Sequence, residues 1–162
     1  MKSNRSLYRS LRALAHPLTW LALALLLVND HLLRVLWPSW WTGKLGDFAW
    51  LFFAPLVLAV LVSLIIPVQS NKQLIIVSCV SFLGTAFFFG LAKSLPAFNT
   101  FTVNLAEAVI GSPVSIRTDP SDLLALAVIP LSNLLWRRQP THPFRPALRG
   151  YAALPVPALL TI

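Results

Sequence analysis

Acidic residues and cysteine are both scarce in this chain. Its 162 residues include five aspartates and glutamates and one cysteine, Cys79. A single cysteine excludes an intrachain disulfide and a metal site built from several thiolates, and no His-x-x-x-His pair is present. A Gly-x-Ser-x-Gly turn and a phosphate-binding glycine loop are also missing. We therefore predict no metal and no cofactor, and we assign no catalytic residue.

Charge of either sign is rare, at 11% of the residues, whereas 57% are hydrophobic. Long apolar runs with almost no charge are typical of integral membrane proteins. A net charge of +8 would suggest nucleic-acid binding in a soluble protein, but here the basic residues flank apolar runs. We expect the lipid bilayer as the partner and no nucleic acid.

Four apolar segments predict an all-α integral membrane protein that forms one transmembrane domain over residues 1–162. The predicted spans are about 18–37, 47–67, 73–95 and 120–136. No small-residue cleavage site follows the first segment, so we interpret it as an uncleaved span rather than a secretory signal peptide.

An internal repeat relates the second span to the fourth. A shift of 75 residues places Asp47 on Asp122 and Pro55 on Pro130. Because proline removes a helical hydrogen bond, both helices are predicted to be kinked. The pattern favours two tandem helical hairpins, related as parallel repeats about an axis along the membrane normal. We expect a polar turn at residues 42–46, with Asp47 at the start of the second helix.

The segments TGKLGDFAWLFFAPL (Thr42 to Leu56) and DPSDLLAL (Asp119 to Leu126) resemble an uncharacterised family of small bacterial multi-pass membrane proteins. The family pattern is similar to TGKLSDFAGLFFxPL followed by DPxDLLAL. This chain has Gly46 and Trp50 where the pattern has Ser and Gly. The resemblance implies a bacterial source and one functional unit built from both segments, and it implies no activity.

Basic residues concentrate in the tails 1–16 and 137–162. With four spans, the tails and the 67–72 turn would hold nine basic residues and the opposite side four. The positive-inside rule then predicts that both termini are cytoplasmic, and the basic tails are expected to contact anionic lipids. With the bacterial source that the resemblance implies, this places the protein in the bacterial inner membrane. Residues 1–16 fit either an amphipathic surface helix or a plain basic flank. The apolar stretch 151–162 is too short to span and receives no assignment.

Two further segments carry a helical pattern. Ser78, Ser81 and Thr85 share one face of the third span, which favours close helix packing with interhelical hydrogen bonds. In the connection 97–119, apolar residues recur at helical spacing. There we predict a short amphipathic helix that ends at Gly111.

Polar residues are predicted to converge at the outer ends of the spans. The candidate ligand- or ion-binding residues are Asp47, Asp122, Lys44, Asp30, His31, Arg34, Asp119 and Lys93. Asp47 and Asp122 would be carboxylate ligands, adjusted by nearby Lys44 and Arg34, with Asp30 and His31 as accessories. Each outer loop is expected to place a basic residue near an acid, Lys44 near Asp47 and Arg117 near Asp119 and Asp122.

A structural interpretation competes with this site. Asp30 and Arg34 can form a helical ion pair, and the Asp119–Asp122 segment has the pattern of an N-cap followed by Pro and an acid. Caps do not explain Lys44 or the repeated proline.

Three functions stay open at this level. The first is a small membrane protein whose outward-facing polar cluster binds or passes an ion or small polar ligand. The second is a non-catalytic scaffold or assembly subunit, and the third is a membrane-embedded enzyme that uses the Asp pair. Four short helices leave little room for an aqueous path, which favours a homo-oligomer or a partner membrane subunit.

Overall fold

The computed structural model describes residues 4–66, 68, 70–113 and 118–142. The protein is all-helical in this part of the chain, as the sequence predicted. Its helical segments are α1 (Arg5–Leu14), α2 (Pro17–Leu36), α3 (Trp40–Ile65), α4 (Asn71–Ser94), α5 (Pro96–Ile110) and α6 (residues 120–138).

Within the described residues, three helices are long and apolar enough to cross a membrane. They are α2, α3 and α4, which correspond to the first three predicted spans. The segment α6 differs, because Pro120–Val128 forms a 3₁₀ helix and only Ile129–Arg138 is α-helical. The protein is therefore membrane-embedded, whereas a fourth crossing stays a prediction.

The start of α3 corrects one prediction. The helix begins at Trp40, not at Asp47, so residues 42–46 are helical rather than a polar turn. Ser39 and Thr42 form a capping box: the Ser39 hydroxyl accepts from Thr42 N (3.4 Å) and the Thr42 hydroxyl accepts from Ser39 N (3.1 Å). Because this reciprocal cap starts the helix at Trp40, the two glycines that suggested a turn lie within the helix. Asp47 consequently lies inside the helix.

Helix α3 continues through Pro55, which is fully buried. The predicted kinks at Pro55 and Pro130, and the hairpin repeat, stay predictions. A neighbouring helix does reach this turn, since the buried Ser132 hydroxyl of α6 donates to the backbone carbonyl of Phe52 (2.7 Å). This bond fixes α6 against the middle of α3.

The core lies where α3, α4 and α6 meet. Its largest fully buried members are Trp136, Phe82, Leu51 and Leu56. The hydroxyl face predicted on α4 is buried at Ser78, Ser81 and Thr85, and the Ser78 hydroxyl bonds to Oδ1 of Asn133 on α6 (3.1 Å). This confirms the prediction of close packing with an interhelical hydrogen bond.

The N-terminal segment forms a helix that docks on the bundle. Ser6, Ser10 and Ala13 of α1 are buried. The indole Nε1 of Trp136 donates to the Ser10 hydroxyl (2.8 Å), and Arg5 N donates to the Val68 carbonyl (3.1 Å). Residues 5–14 are thus part of the fold, held against α3 and α6.

Helix α5 confirms the predicted amphipathic segment. It ends at Gly111, whose φ of 73° is the left-handed conformation that glycine adopts without strain. The buried Asn99 amide donates to the Ala92 carbonyl (2.9 Å), which ties α5 to the end of α4. Its exposed face carries Phe101, Leu105 and Val109.

Candidate functional site

Four charged side chains from three helices meet at one end of the bundle. Lys44 and Asp47 come from α3, Lys93 from α4 and Asp122 from α6. We call these four residues the Lys–Asp network. The Lys93 ammonium bridges both carboxylates, at 3.0 Å from Asp47 Oδ2 and 2.7 Å from Asp122 Oδ2. The Lys44 ammonium donates to the other oxygen of Asp122 at 2.8 Å.

Three of the four network residues are buried, and Asp47 is half-buried. Only 5% of Lys44, 8% of Lys93 and 8% of Asp122 is exposed. Charges withdrawn from water to this degree carry a desolvation cost of several kcal/mol each, which close opposite charges must offset. Two ammoniums and two carboxylates balance, so the network is neutral as a unit.

Aromatic rings and one hydroxyl hold the lysines in place. The Lys44 ammonium lies 4.5 Å from the ring centroid of Trp40 and donates to the Ser121 hydroxyl at 2.7 Å. The Lys93 ammonium lies 5.5 Å from the Phe89 ring. Cation–π contacts and a hydroxyl acceptor replace part of the hydration that each lysine loses.

Sequence reasoning missed Ser121, Trp40 and Phe89 as contributors. Two of them had a readable signal. Ser121 directly precedes Asp122, and Trp40 lies one helical turn before Lys44. Trp37, Trp40 and Trp41 cluster around Pro38 in a pattern typical of a membrane-interface belt, so the sequence does not point to a contact between Trp40 and a charged group.

Asp119 acts as a cap, as the structural interpretation predicted. Its Oδ1 accepts from Ser121 N (2.9 Å) and from the Ser121 hydroxyl (2.6 Å). Asp122, the acid of the same motif, instead points into the network. One short segment therefore supplies both a helix cap and a buried carboxylate.

The pairing within the network corrects another prediction. Lys44 was expected beside Asp47 of its own helix, but it bonds to Asp122 of α6, and Asp47 is paired with Lys93. The predicted polar turn would have let Lys44 fold back on Asp47. On the helix, Lys44 instead reaches across to α6. Arg117, expected near Asp119, lies outside the described residues.

Asp30, His31 and Arg34 do not join the network. Asp30 and Arg34 form the predicted i,i+4 pair at 3.5 Å, with side chains 40% and 51% exposed. His31 is exposed. Of the eight candidate residues, four form the network, Asp119 is adjacent, and these three lie in the C-terminal half of α2.

A cleft of about 930 Å³ opens beside the network. Asp47, Lys93 and Asp122 line it on one side, and Arg34 and Asp119 add further charge. Its aromatic lining comprises Trp40, Trp50, Phe88 and Phe89. The cleft thus combines charges of both signs with flat apolar surfaces.

Asn29 of α2 lies close to Gly46 of α3, next to Asp47 of the network. Asn29 is fully buried in a π-helical turn, Asn29–Leu33, and its Nδ2 donates to Asp30 Oδ1 (3.1 Å). Among the described residues, Asn29 Oδ1 has no hydrogen-bond partner. A Cβ atom on Gly46 would lie 3.0 Å from Asn29 Nδ2, so α3 passes this amide at a position without a side chain.

The described residues contain no group of three His, Cys, Asp or Glu side chains placed to hold a metal ion. Comparison with protein-family models, with curated proteins and with solved structures gives no match for this chain. The site must therefore be interpreted from its own geometry.

Proposed function

We propose that the chain is a small multi-pass membrane protein in which the Lys–Asp network forms one wall of an outward-facing site for a small polar ligand. The observation that carries this proposal is the cleft of about 930 Å³, because three of the four network residues line it. Its volume falls in the range of small-molecule sites, about 300–1,000 Å³.

The chemistry of the cleft favours a ligand with its own charges over a bare cation. Both network carboxylates already accept hydrogen bonds from lysine ammoniums. A cation would have to displace an ammonium, whereas a zwitterionic or hydrogen-bonding molecule can pair with donors and acceptors of both signs. The aromatic rings would stack on its apolar part.

The membrane arrangement that we propose has four crossings in two tandem hairpins, with both termini in the cytoplasm of a bacterium. A 3₁₀ helix rises about 2 Å per residue, so α6 extends about 33 Å and is long enough for a bilayer core of about 30 Å. The positive-inside count of nine basic residues against four supports this orientation. It places the network at the outer face.

A scaffold or assembly subunit is the second candidate. It is favoured by the complete pairing of the network, since each carboxylate is bonded to lysine within the chain. The exposed tryptophans 37, 40 and 41 and the apolar face of α5 would then be docking surfaces for a partner subunit or a second copy. An enzyme is the third candidate, and it would need Lys93 to leave the Asp pair before either carboxylate could act as a base.

Cysteine accessibility separates the first two candidates. In a Cys79→Ala background, Thr102→Cys places a near-isosteric thiol in the cleft lining. We expect an impermeant thiosulfonate, added outside intact cells, to modify this thiol. Glycine, glutamate, lysine and sodium chloride are then tested singly as probes, and we expect at least one of them to slow the modification.

The matched control is Thr100→Cys, which lies on the same helix, is exposed and does not line the cleft. A probe that occupies the cleft slows modification at position 102 and leaves position 100 unchanged. If no probe slows position 102, or if both positions respond equally, the ligand site is refuted and the scaffold function is preferred.

A further inference from the structure

A second cleft lies at the opposite end of the bundle, between α1, the start of α4 and the end of α6. Its volume is about 420 Å³. Three arginines line it, Arg5 and Arg9 from α1 and Arg137 from α6. Side chains from the first turns of α4 complete the lining; these include Asn71, Leu74 and Ile75. We call this the arginine cleft.

The tertiary structure fixes Arg9 in this cleft. Its Nε donates to the Gln139 carbonyl (3.1 Å), and its guanidinium carbon lies 5.0 Å from the ring centroid of Trp136. Trp136 is itself buried and bonded to Ser10. Stacking and one backbone bond therefore orient the guanidinium before any ligand arrives.

Among the described residues, no carboxylate side chain lines the arginine cleft. The five acids of the chain are Asp30, Asp47, Glu107, Asp119 and Asp122, and all belong to segments at the other end of the helices. Burial lowers the pKa of the Arg9 guanidinium, and the nearby charges of Arg5 and Arg137 lower it further. Arg5 and Arg137 therefore lie close enough to Arg9 for their positive charges to repel its guanidinium.

We propose that the arginine cleft binds a phosphate group, of the kind carried by the headgroup of an anionic lipid. Guanidinium forks match phosphate oxygens in paired, charge-assisted hydrogen bonds, and arginine is the preferred residue for such sites. The largely exposed Ile75 continues from the cleft onto the apolar surface of α4, where acyl chains would lie. This site is independent of the Lys–Asp network.

The test is native mass spectrometry of the full chain in detergent, with three probes: a short-chain phosphatidylglycerol, a short-chain phosphatidylcholine and inorganic phosphate. We expect one phosphatidylglycerol to bind per chain, more tightly than phosphatidylcholine. Replacing two guanidiniums in Arg5→Gln/Arg137→Gln should weaken that binding by about tenfold or more, since each charge-assisted bond contributes on the order of one such factor.

Arg138→Gln is the matched control, because Arg138 is exposed and adjacent in sequence but does not line the cleft. The affinity of this variant for phosphatidylglycerol should change by less than about twofold, as expected for a surface charge.

Should the double variant fold poorly, the single variant Arg137→Gln, at an exposed position, provides a second test. Inorganic phosphate that binds as tightly as phosphatidylglycerol, with the same arginine dependence, would identify a soluble phosphate as the ligand. Equal loss in Arg138→Gln, or equal binding of phosphatidylcholine, overturns the proposal.

Discussion

The ammonium of Lys44 and the carboxylate of Asp122 lie 2.8 Å apart, although 78 positions separate them in the sequence. Both side chains are almost completely buried. This ion pair joins the first turns of α3 to the start of α6 and couples the two sequence segments that resemble each other. Lys93 also links the two segments, because its ammonium bonds to the acid of each, Asp47 and Asp122.

Removing Lys93 should destabilise the protein strongly. Lys93→Met leaves Asp47 without an ammonium and Asp122 with one instead of two, and breaking a buried pair in this way costs about 3–5 kcal/mol. The free energy of unfolding, measured by titration of SDS into mixed micelles, reports this loss. Lys93→Arg is the control that keeps the charge.

The double variant Lys93→Met/Asp47→Asn tests whether the loss arises from the unpaired charge. Neutralising Asp47 removes the buried carboxylate, so the double variant should be less destabilised than the sum of the single variants, by about 1 kcal/mol or more. Strict additivity would mean that Lys93 and Asp47 do not interact as described.

The pair of Asp30 and Arg34 should behave differently from the network. Both side chains are substantially exposed and 3.5 Å apart, and pairs of this kind contribute less than about 1 kcal/mol. Arg34→Gln is therefore expected to change the free energy of unfolding by less than this amount in the same SDS titration. A loss as large as that of Lys93→Met would contradict the description of this pair as peripheral.

Alanine substitutions at two glycines of α3 should change the stability of the protein in opposite directions. Gly43→Ala adds a methyl group into open space and should stabilise the helix by up to about 1 kcal/mol. Gly46→Ala pushes against the buried Asn29 amide and should cost about 1–3 kcal/mol. Gly46→Ser should cost less than Gly46→Ala, because a hydroxyl there has a donor, Asn29 Nδ2, and an acceptor, Asp30 Oδ1, close by. Equal effects at both glycines in thermal unfolding would refute the close approach of α2 and α3.

The docking of α1 depends on one buried hydrogen bond. Ser10→Ala leaves the buried indole N–H of Trp136 without its acceptor, at a cost of about 1–3 kcal/mol. Limited proteolysis within residues 1–16 should become faster as α1 detaches. Ser94→Ala, at an exposed position, is the matched control and should leave the rate unchanged.

Cys79 provides a test of membrane embedding without any mutation. It is exposed on the surface of α4, near the middle of a helix that is long and apolar enough to span a membrane. Lipid should cover it, so a membrane-impermeant maleimide should leave it unlabelled in intact vesicles and label it after SDS denaturation. Ser94→Cys in a Cys79→Ala background should be labelled from one side without denaturation. Rapid labelling of native Cys79 would place α4 against water.

The sequence predicted which polar residues form the site better than it predicted which of them pair with one another. Lys44, Asp47, Lys93 and Asp122 stood out because charge is rare in apolar runs. Their partners could not be deduced, since the start of α3 decides which way Lys44 points. That start depends on the capping box of Ser39 and Thr42, which is a weaker sequence signal than the two glycines after it.

Composition and hydrophobic patterning by themselves determined that the chain is helical and embedded in a membrane, because apolar runs of this length can be satisfied only by helices in a lipid environment. They also determined where α5 ends, since Gly111 is suited to the left-handed cap. Only the tertiary structure decided that Lys93 bridges Asp47 and Asp122 and that Arg9 stacks on Trp136. These contacts join residues far apart in the sequence, and their geometry depends on how whole helices pack, which no local pattern encodes.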